Sequence, residues 1–191
     1  GSLRQAWETW MGKAEGKAAI DYGFHMILRE STPALREEMG AMVREGVTSF
    51  KLFMAYPGVF YMDDASIFRT MQRAGEIGAT ICMHAENGPV IDVLIEQALA
   101  KGHRAPKFHA LTRPARLEAE ATHRAIALAE VADVPVYIVH LSAAEALEQL
   151  DTETQVGLIE GMGEEGATRV VGEMATDDAA DLLSELEEEK A

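Results

Sequence analysis

Three side chains able to bind a metal are attached to strongly apolar segments of the chain. Lys51 lies within VTSFKLFMAY, His84 follows TICM, and His140 follows VYIV. In parallel α/β folds the functional residues lie at the carboxyl ends of strands. A buried lysine is costly unless it is modified or paired, and imidazole is a common zinc ligand. Each residue alone also fits a structural role, as a hydrogen-bonded histidine or as a lysine whose ammonium group reaches solvent.

The segments that carry these residues alternate with helical patterns. Apolar runs predict strands over 18–28, 47–55, 79–83 and 134–139. Helices are predicted over 33–44, from Asp63 and Asp64 to about Ile77, over 88–101 and 114–131, and again from near Ala143. Four strands separated by helices of this length predict β-α units on a parallel sheet.

Composition sets the broad class of the protein. The 191 residues are 48% hydrophobic and 26% charged, with a formal net charge of −15. Such an acidic chain is not expected to bind nucleic acid, because phosphate contacts require Lys and Arg. No apolar run is long enough to span a membrane, and no secretory signal is visible. Cys82 is the single cysteine, which predicts a reducing, cytoplasmic location.

The negative charge is concentrated near the end of the chain. Residues 151–191 contain 13 acidic and two basic residues, and neither aromatic residues nor histidine. EALEQL, GLIEGM, RVVGEM and DLLSEL recur every 12 residues from position 145. Their apolar positions have the spacing of one helical stripe, and DTET, GEEGAT and ATDD separate them. The pattern predicts four short helices stacked as a small superhelical repeat, with N-caps such as Thr176 or Asp177. The alternative is one long, frayed acidic helix with disorder at its end.

Several motifs of the first part carry a family resemblance. SFKLFMAYPGVF, MHAENG, FHALTRP followed by EAEAT, and VYIVHLS stand in this order. Over about residues 1–144 the chain thereby resembles the D-hydantoinases and dihydropyrimidinases, which are cyclic amidohydrolases with a (β/α)8 barrel. The resemblance implies that CO2 carboxylates Lys51, which then bridges two zinc ions. It also implies that His84 and His140 are zinc ligands. Tyr56 matches the family's tyrosine that binds substrate and stabilises the oxyanion.

The chain also departs from the family pattern. The family's HxH pair of metal ligands is absent, since no HxH occurs in the sequence. The aspartate expected well beyond His140, a ligand and general base in the family, has no counterpart. A complete barrel takes about 250 residues. Since the family's HxH strand and late aspartate strand are missing, the resemblance implies a partial TIM barrel comprising about strands 3–6. We therefore expect these residues alone to be an inactive fragment of a hydrolase.

The acidic repeats resemble a second family. MATDDAADLLSELEEEKA, within about residues 145–191, is similar to the N-terminal cytosolic domain of MgtE-type magnesium transporters. The resemblance implies an acidic surface to which Mg²⁺ could bind, since hard cations prefer carboxylate oxygens. The chain is thus predicted to join a partial amidohydrolase barrel (1–144) to an acidic helical segment (145–191). The junction near 143–150 has three explanations: design, natural fusion or an error of sequence assembly.

Three functions compete for this sequence. The first is a fragment of a dinuclear zinc enzyme that opens small cyclic amides, namely hydantoins or dihydropyrimidines, with a homo-oligomer as one assembly to test. The second is an acidic helical module that senses divalent cations or binds a partner. The third is a hybrid without function. Hydrolysis that disappears in Lys51→Ala would favour the first, and Mg²⁺-dependent compaction without hydrolysis would favour the second.

Overall fold

The chain consists of two compact units. The computed structural model describes residues 2–147, 155, 164–174, 179–180 and 182–183. Unit 1 comprises Gly1–Pro89 and Arg124–Val139, and unit 2 comprises Val90–His123 and His140–Ala191. None of the described helices combines the length and the apolar character needed to cross a membrane.

Helices alternate with strands along most of the chain. The elements in chain order are α1 (Leu3–Ala14), β1 (Met26–Ile27), α2 (Pro33–Arg44), β2 (Ser49–Phe53), α3 (Asp64–Ile77), β3 (Thr80–His84), α4 (Gly88–Ala100), α5 (Lys107–Leu111), α6 (Ala115–Ala132), β4 (Val136–Ile138), α7 (Ala144–Leu147) and α8 (Glu164–Glu173). The four described strands form one sheet in the order β1-β2-β3-β4, and every pairing is parallel. The predicted α/β class with a parallel sheet is confirmed.

Local signals in the sequence set the ends of α2 and α3. The side chain of Thr32 accepts a hydrogen bond from Leu35 N, and Pro33 occupies the first turn of α2. Asp63 caps α3 by accepting from Ser66 N at 2.9 Å. Both residues satisfy backbone donors that a helix leaves unpaired at its start. Gly78 ends α3 with a φ of +67°, a left-handed conformation that glycine adopts without strain.

The core of unit 1 lies around β2 and β3. Its fully buried large side chains come from these strands, from the segment after β2 and from the faces of α2 and α3: Met39, Met42, Phe50, Leu52, Met54, Ile67, Met71, Ile81 and Met83. Helices α2 and α3 thereby supply the apolar cover that a parallel sheet requires. The register places Lys51 beside Cys82 and Phe53 beside His84.

The first predicted strand is mostly wrong. Only Met26 and Ile27 of the segment 18–28 form β1, opposite Phe50 and Lys51. Residues 18–25 have no regular structure, and Ile20 is 81% exposed. Their apolar character therefore does not reflect burial in the sheet.

Two helices were not predicted. Helix α1 begins after Ser2, whose side chain accepts from Gln5 N. Its apolar residues at 3, 6, 7, 10, 11 and 14 have helical spacing, so a signal for α1 was present. Helix α5 has five residues and no side-chain cap, so it is too short to show a period.

In the C-terminal segment (residues 145–191) the structure corrects one predicted linker. GEEGAT was predicted to separate two helices, but α8 begins at Glu164 and includes Gly166 and Gly172. Ala167, Val170 and Val171 of α8 pack against a buried cluster formed by Ala144, Leu147, Met174 and Leu182. These contacts offset the cost of about 1 kcal/mol for each glycine within a helix. The repeat at 157–162 and the proposed caps Thr176 and Asp177 lie outside the described residues.

Candidate functional site

Lys51 lies in the middle of β2 with its amine inside the protein. Its Nζ is buried and has no hydrogen-bond partner among the described residues. Nζ stands 4.9 Å from the centre of the Phe53 ring, a cation–π contact when the amine is charged. Burial lowers the pKa of Lys51 from 10.5 to about 8, against a smaller raising effect from Cys82. A larger fraction of this amine is therefore neutral and nucleophilic near neutral pH than for an ordinary lysine.

Cys82, the register neighbour of Lys51, is a buried free thiol. Burial raises its pKa, and the nearby Lys51 ammonium opposes this shift. A thiol with a raised pKa is mostly protonated and a poor nucleophile. Cys82 therefore contributes a packed sulfur atom beside Lys51 and no activated group.

His84 closes β3, with its ring held from two sides. The ring stacks on Phe53, with centroids 5.2 Å apart and planes inclined by 26°. Its Nε2 is 2.7 Å from Oε2 of Glu86, and the two side chains are only 10% and 17% exposed. The His84 carbonyl accepts from Met54 N at 3.0 Å, which ties the end of β3 to the segment after β2.

Tyr56 begins the loop after β2 in an unusual conformation. Its φ of +62° lies in the left-handed region, which is sparsely populated by residues other than glycine. Its carbonyl accepts from the backbone N–H groups of Val59, Phe60 and Tyr61 at 3.0–3.2 Å. The ring lies 5.2 Å from the His84 ring and 6.0 Å from the Phe53 ring. Lys51, Tyr56 and His84 thus surround one aromatic side chain, Phe53.

A glycine allows the loop after β3 to approach β2. Gly88 N donates to Met54 O at 3.0 Å and to Glu86 O at 2.8 Å. A Cβ atom at Gly88 would stand 2.6 Å from the Cα of Ala55. Only glycine therefore permits this approach of the HAENG loop.

His140 belongs to unit 2, whereas the three residues around Phe53 belong to unit 1. Its side chain is 43% exposed, and its Nδ1 is 3.9 Å from Oε1 of Glu118. Both carboxylate oxygens of Glu118 accept from Ser142 N at 3.0–3.1 Å. Glu118 therefore contacts His140 and anchors the segment that follows it.

The site offers an incomplete donor set for a metal. No group of three or more His, Cys, Asp or Glu side chains that could hold a metal occurs in the part of the chain that is described. Lys51 would offer oxygen donors to a metal only after carboxylation. Its Nζ is buried and has no hydrogen-bond partner among the described residues, which fits that modification. Glu86 and Phe53 were missed by sequence reasoning. Glu86 follows His84 by two residues in HAENG, and this spacing was the available signal.

The fold matches that of solved TIM-barrel amidohydrolases. The solved dihydropyrimidinase of Brevibacillus agri superposes with a TM-score of 0.78 and 46% identity, over 83% of this chain and 34% of that chain. The more distant L-hydantoinase of Arthrobacter aurescens gives a TM-score of 0.70 at 25% identity, over 82% of this chain and 34% of that chain.

The curated relatives specify the kind of amidohydrolase. The D-hydantoinase of Streptomyces coelicolor is 59% identical over 82% of this chain and 34% of its own length. The dihydropyrimidinase of rat is 37% identical over 86% of this chain and 33% of its own length. The chain is homologous to D-hydantoinases and dihydropyrimidinases over about four-fifths of its length. It spans about a third of the length of these relatives.

The last part of the chain matches a different family. The family model of the MgtE intracellular N domain matches residues 126–191, in agreement with the second resemblance. This match and the one to the Streptomyces enzyme are together longer than the chain, so they share residues. The junction near 143–150 stays a prediction.

Proposed function

We propose that this chain carries one third of a dinuclear zinc cyclic amidohydrolase that opens hydantoins or dihydropyrimidines. The observation that supports the proposal is the Lys51 amine, which is buried, has no partner among the described residues and has a pKa of about 8. A structural lysine would place its ammonium group in water. An amine buried in this way is suited to a covalent modification that uses its lone pair.

Carboxylation is the modification that we propose for Lys51. The neutral Nζ attacks the carbon of CO2, an N–C bond forms, one C=O electron pair moves to oxygen, and the amine proton passes to solvent. The product is an anionic carbamate with two oxygen donors in place of a buried cation. His84 would add an imidazole donor, and Tyr56 would donate its phenol hydrogen bond to the substrate carbonyl. The family resemblance assigns a further imidazole donor to His140. The bound zinc pair would polarise the amide carbonyl and activate water.

The proposal includes a reason for inactivity. The 191 residues contain no HxH pair, so the set of ligands that the relatives' family uses is not complete within them. We therefore expect no hydrolysis of cyclic amides by these residues alone. A cytoplasmic location is part of the proposal, because Cys82 is single and not disulfide-bonded.

Carboxylation can be tested without any activity. The protein would be incubated with zinc and ¹³C-bicarbonate, followed by carbon NMR and by measurement of zinc per chain. We expect a carbamate signal and bound zinc in the wild type, and loss of both in Lys51→Ala. Lys101→Ala, which changes an exposed lysine, is the matched control and should behave as the wild type does. An unchanged carbamate signal in Lys51→Ala would overturn the proposal.

The MgtE family match favours a second candidate, a divalent-cation-sensing module in the C-terminal segment. Residues 151–191 have a net charge of −11, and carboxylate oxygens are suitable ligands for Mg²⁺. Millimolar Mg²⁺ should then slow proteolysis within 151–191 equally in the wild type and in Lys51→Ala. Protection that requires Lys51, or no protection at all, would remove this candidate.

A further inference from the structure

We infer that Glu86 is a positioning residue that holds His84 in the tautomer with a proton on Nε2 and thereby assigns metal ligation to Nδ1. The inference rests on the proposed function and deepens it, because it names how one of the proposed ligands is oriented. Neither resemblance assigns a role to Glu86.

The geometry that supports this inference is local and well defined. Nε2 of His84 and Oε2 of Glu86 are 2.7 Å apart, a distance typical of a charge-assisted hydrogen bond. Both side chains are at least four-fifths buried, so water competes weakly for this bond. An ionised carboxylate only accepts hydrogen bonds, so the ring nitrogen that faces it must donate. In a neutral imidazole the other nitrogen, Nδ1, then carries the lone pair.

Both partners are held in place by further contacts. The His84 ring lies against Phe53 at 5.2 Å, which restricts rotation of the ring. The Glu86 carbonyl accepts from Gly88 N at 2.8 Å, and Gly88 N is also bonded to Met54 O. The carboxylate therefore extends from a backbone that is tied to the end of β2. Such support is what a precise ligand position needs, because the tautomer and the ring orientation are both fixed in advance.

The chemistry of metal sites explains what this bond would do. A histidine that ligates a metal commonly donates its other N–H to a carboxylate, which orients the ring and raises the basicity of the ligating nitrogen. Loss of such a partner typically costs about 10–100-fold in metal affinity. A bond that merely stabilised the fold would hold the same tautomer, and its loss would lower the stability of the protein without raising the zinc Kd.

The test combines the tautomer of His84 with zinc affinity. Nitrogen NMR of the ¹⁵N-histidine-labelled, metal-free protein reports which ring nitrogen is protonated, and competition with a chelator gives the zinc Kd. Glu86→Ala should reduce the Nε2–H tautomer and raise the zinc Kd by about 10–100-fold. Glu86→Gln should keep the tautomer, since its amide oxygen still accepts, and should recover only part of the affinity. Glu76→Gln removes an exposed carboxylate that pairs with Arg73 and should change neither quantity.

The outcomes separate this inference from the proposed function. If His84→Ala abolishes zinc binding while Glu86→Ala leaves the tautomer and the Kd unchanged, the inference is overturned and the proposed function stands. If Lys51→Ala and His84→Ala both leave zinc binding unchanged, the proposed function itself fails. Should Glu86→Ala not fold, as judged by circular dichroism, Glu86→Gln decides the matter, because an unchanged zinc Kd in that variant overturns the inference.

Discussion

The sheet of unit 1 and the C-terminal segment (residues 145–191) bury different kinds of side chain. In the middle of β2 the protein buries the Lys51 amine, and at the end of β3 it buries the imidazole of His84. In the C-terminal segment the described buried side chains are apolar, such as Leu147, Met174 and Leu182, with Gln155 as the polar exception. Apolar burial is sufficient to hold helices together. Burial of an ionisable group opposes folding and is typical of sites at which chemistry occurs.

Under the proposed function, the region around Lys51 and His84 carries the chemistry, and the C-terminal segment contributes packing. A chain that needed Lys51 only for structure would be more stable with an apolar residue at that position. The buried cluster of Ala144, Leu147, Met174 and Leu182, in contrast, is explained by apolar packing alone. Matched substitutions in the sheet of unit 1 and in the C-terminal segment test whether the two regions differ in what their buried side chains contribute.

The largest effects are expected from truncation of the two cores. Phe50 and Leu182 are both fully buried. Phe50→Ala should cost about 3–5 kcal/mol and Leu182→Ala about 2–5 kcal/mol, through lost burial and a residual cavity. Residue-resolved hydrogen exchange should show lost protection in β2 and β3 for the first variant, and in α8 for the second. Equal loss in both places for both variants would contradict the division into two units.

Glycine substitutions should have opposite signs in the two regions. Gly88→Ala would place a Cβ 2.6 Å from Ala55 Cα and should destabilise the protein by about 1–3 kcal/mol. Gly172 lies within α8, and a Cβ added there would meet no described atom of another element within 4 Å, so Gly172→Ala should stabilise by up to about 1 kcal/mol. Urea denaturation measures both changes. Destabilisation by Gly172→Ala would show that α8 packs more tightly around this position than its open surroundings indicate.

A pH dependence should distinguish the buried amine. Below about pH 8 Lys51 is charged in both folded and unfolded states, so the full cost of burying its charge is present. As the pH rises from about 8 to 10.5, the folded state loses its proton first and this cost disappears. The wild type should therefore gain stability relative to Lys51→Met across that range.

The measurement needs two precautions. Burial raises the pKa of Cys82, so the thiol ionises more readily in the unfolded state and lowers the stability of the fold as the pH rises. Both the wild type and Lys51→Met should therefore carry Cys82→Ala. Buffers must be free of CO2, so that Lys51 is not carboxylated. A stability difference that does not vary between pH 8 and 10.5 would show that the amine reaches water.

The smallest effects concern helix caps and test the predicted repeat. Asp63→Ala removes the acceptor for Ser66 N and should cost about 1 kcal/mol. Hydrogen bonds from Ser66 lower the Asp63 pKa, and burial opposes but does not cancel them, so this contribution should fade as the pH falls through that lowered value. If Asp177 caps a helix as the sequence predicts, Asp177→Ala should cost a similar amount. No change in the unfolding midpoint of Asp177→Ala would leave the predicted cap without support.

The caps of α2 and α3 show where sequence reasoning succeeds. Thr32, Asp63 and Gly78 act through their own side chains or backbone preferences, so the ends of α2 and α3 could be read locally. The parallel order of the strands followed from the lengths of the connecting helices. The segment 18–28 failed because apolar residues such as Ile20 are exposed, and composition cannot reveal whether a strand has a partner.

Residue types led to the candidate site, but the arrangement of its side chains could not be read from the sequence. Lys51 and His84 were identified because each is a polar residue on an apolar strand. The stacking of His84 on Phe53 and its bond to Glu86 depend on register and loop geometry, which no single segment encodes. His140 was identified in the same way, and in the structure it belongs to the other unit, beside Glu118.

The backbone of Tyr56 has a consequence for the evolution and engineering of this chain. A left-handed conformation at a residue other than glycine opposes folding by about 1–3 kcal/mol. Selection for stability alone would replace Tyr56 with glycine and remove the strain, but the phenol ring would be lost. Consensus or stability-driven redesign should therefore exclude this position. Retention of tyrosine here among homologues would record selection on the chemistry at the expense of the fold.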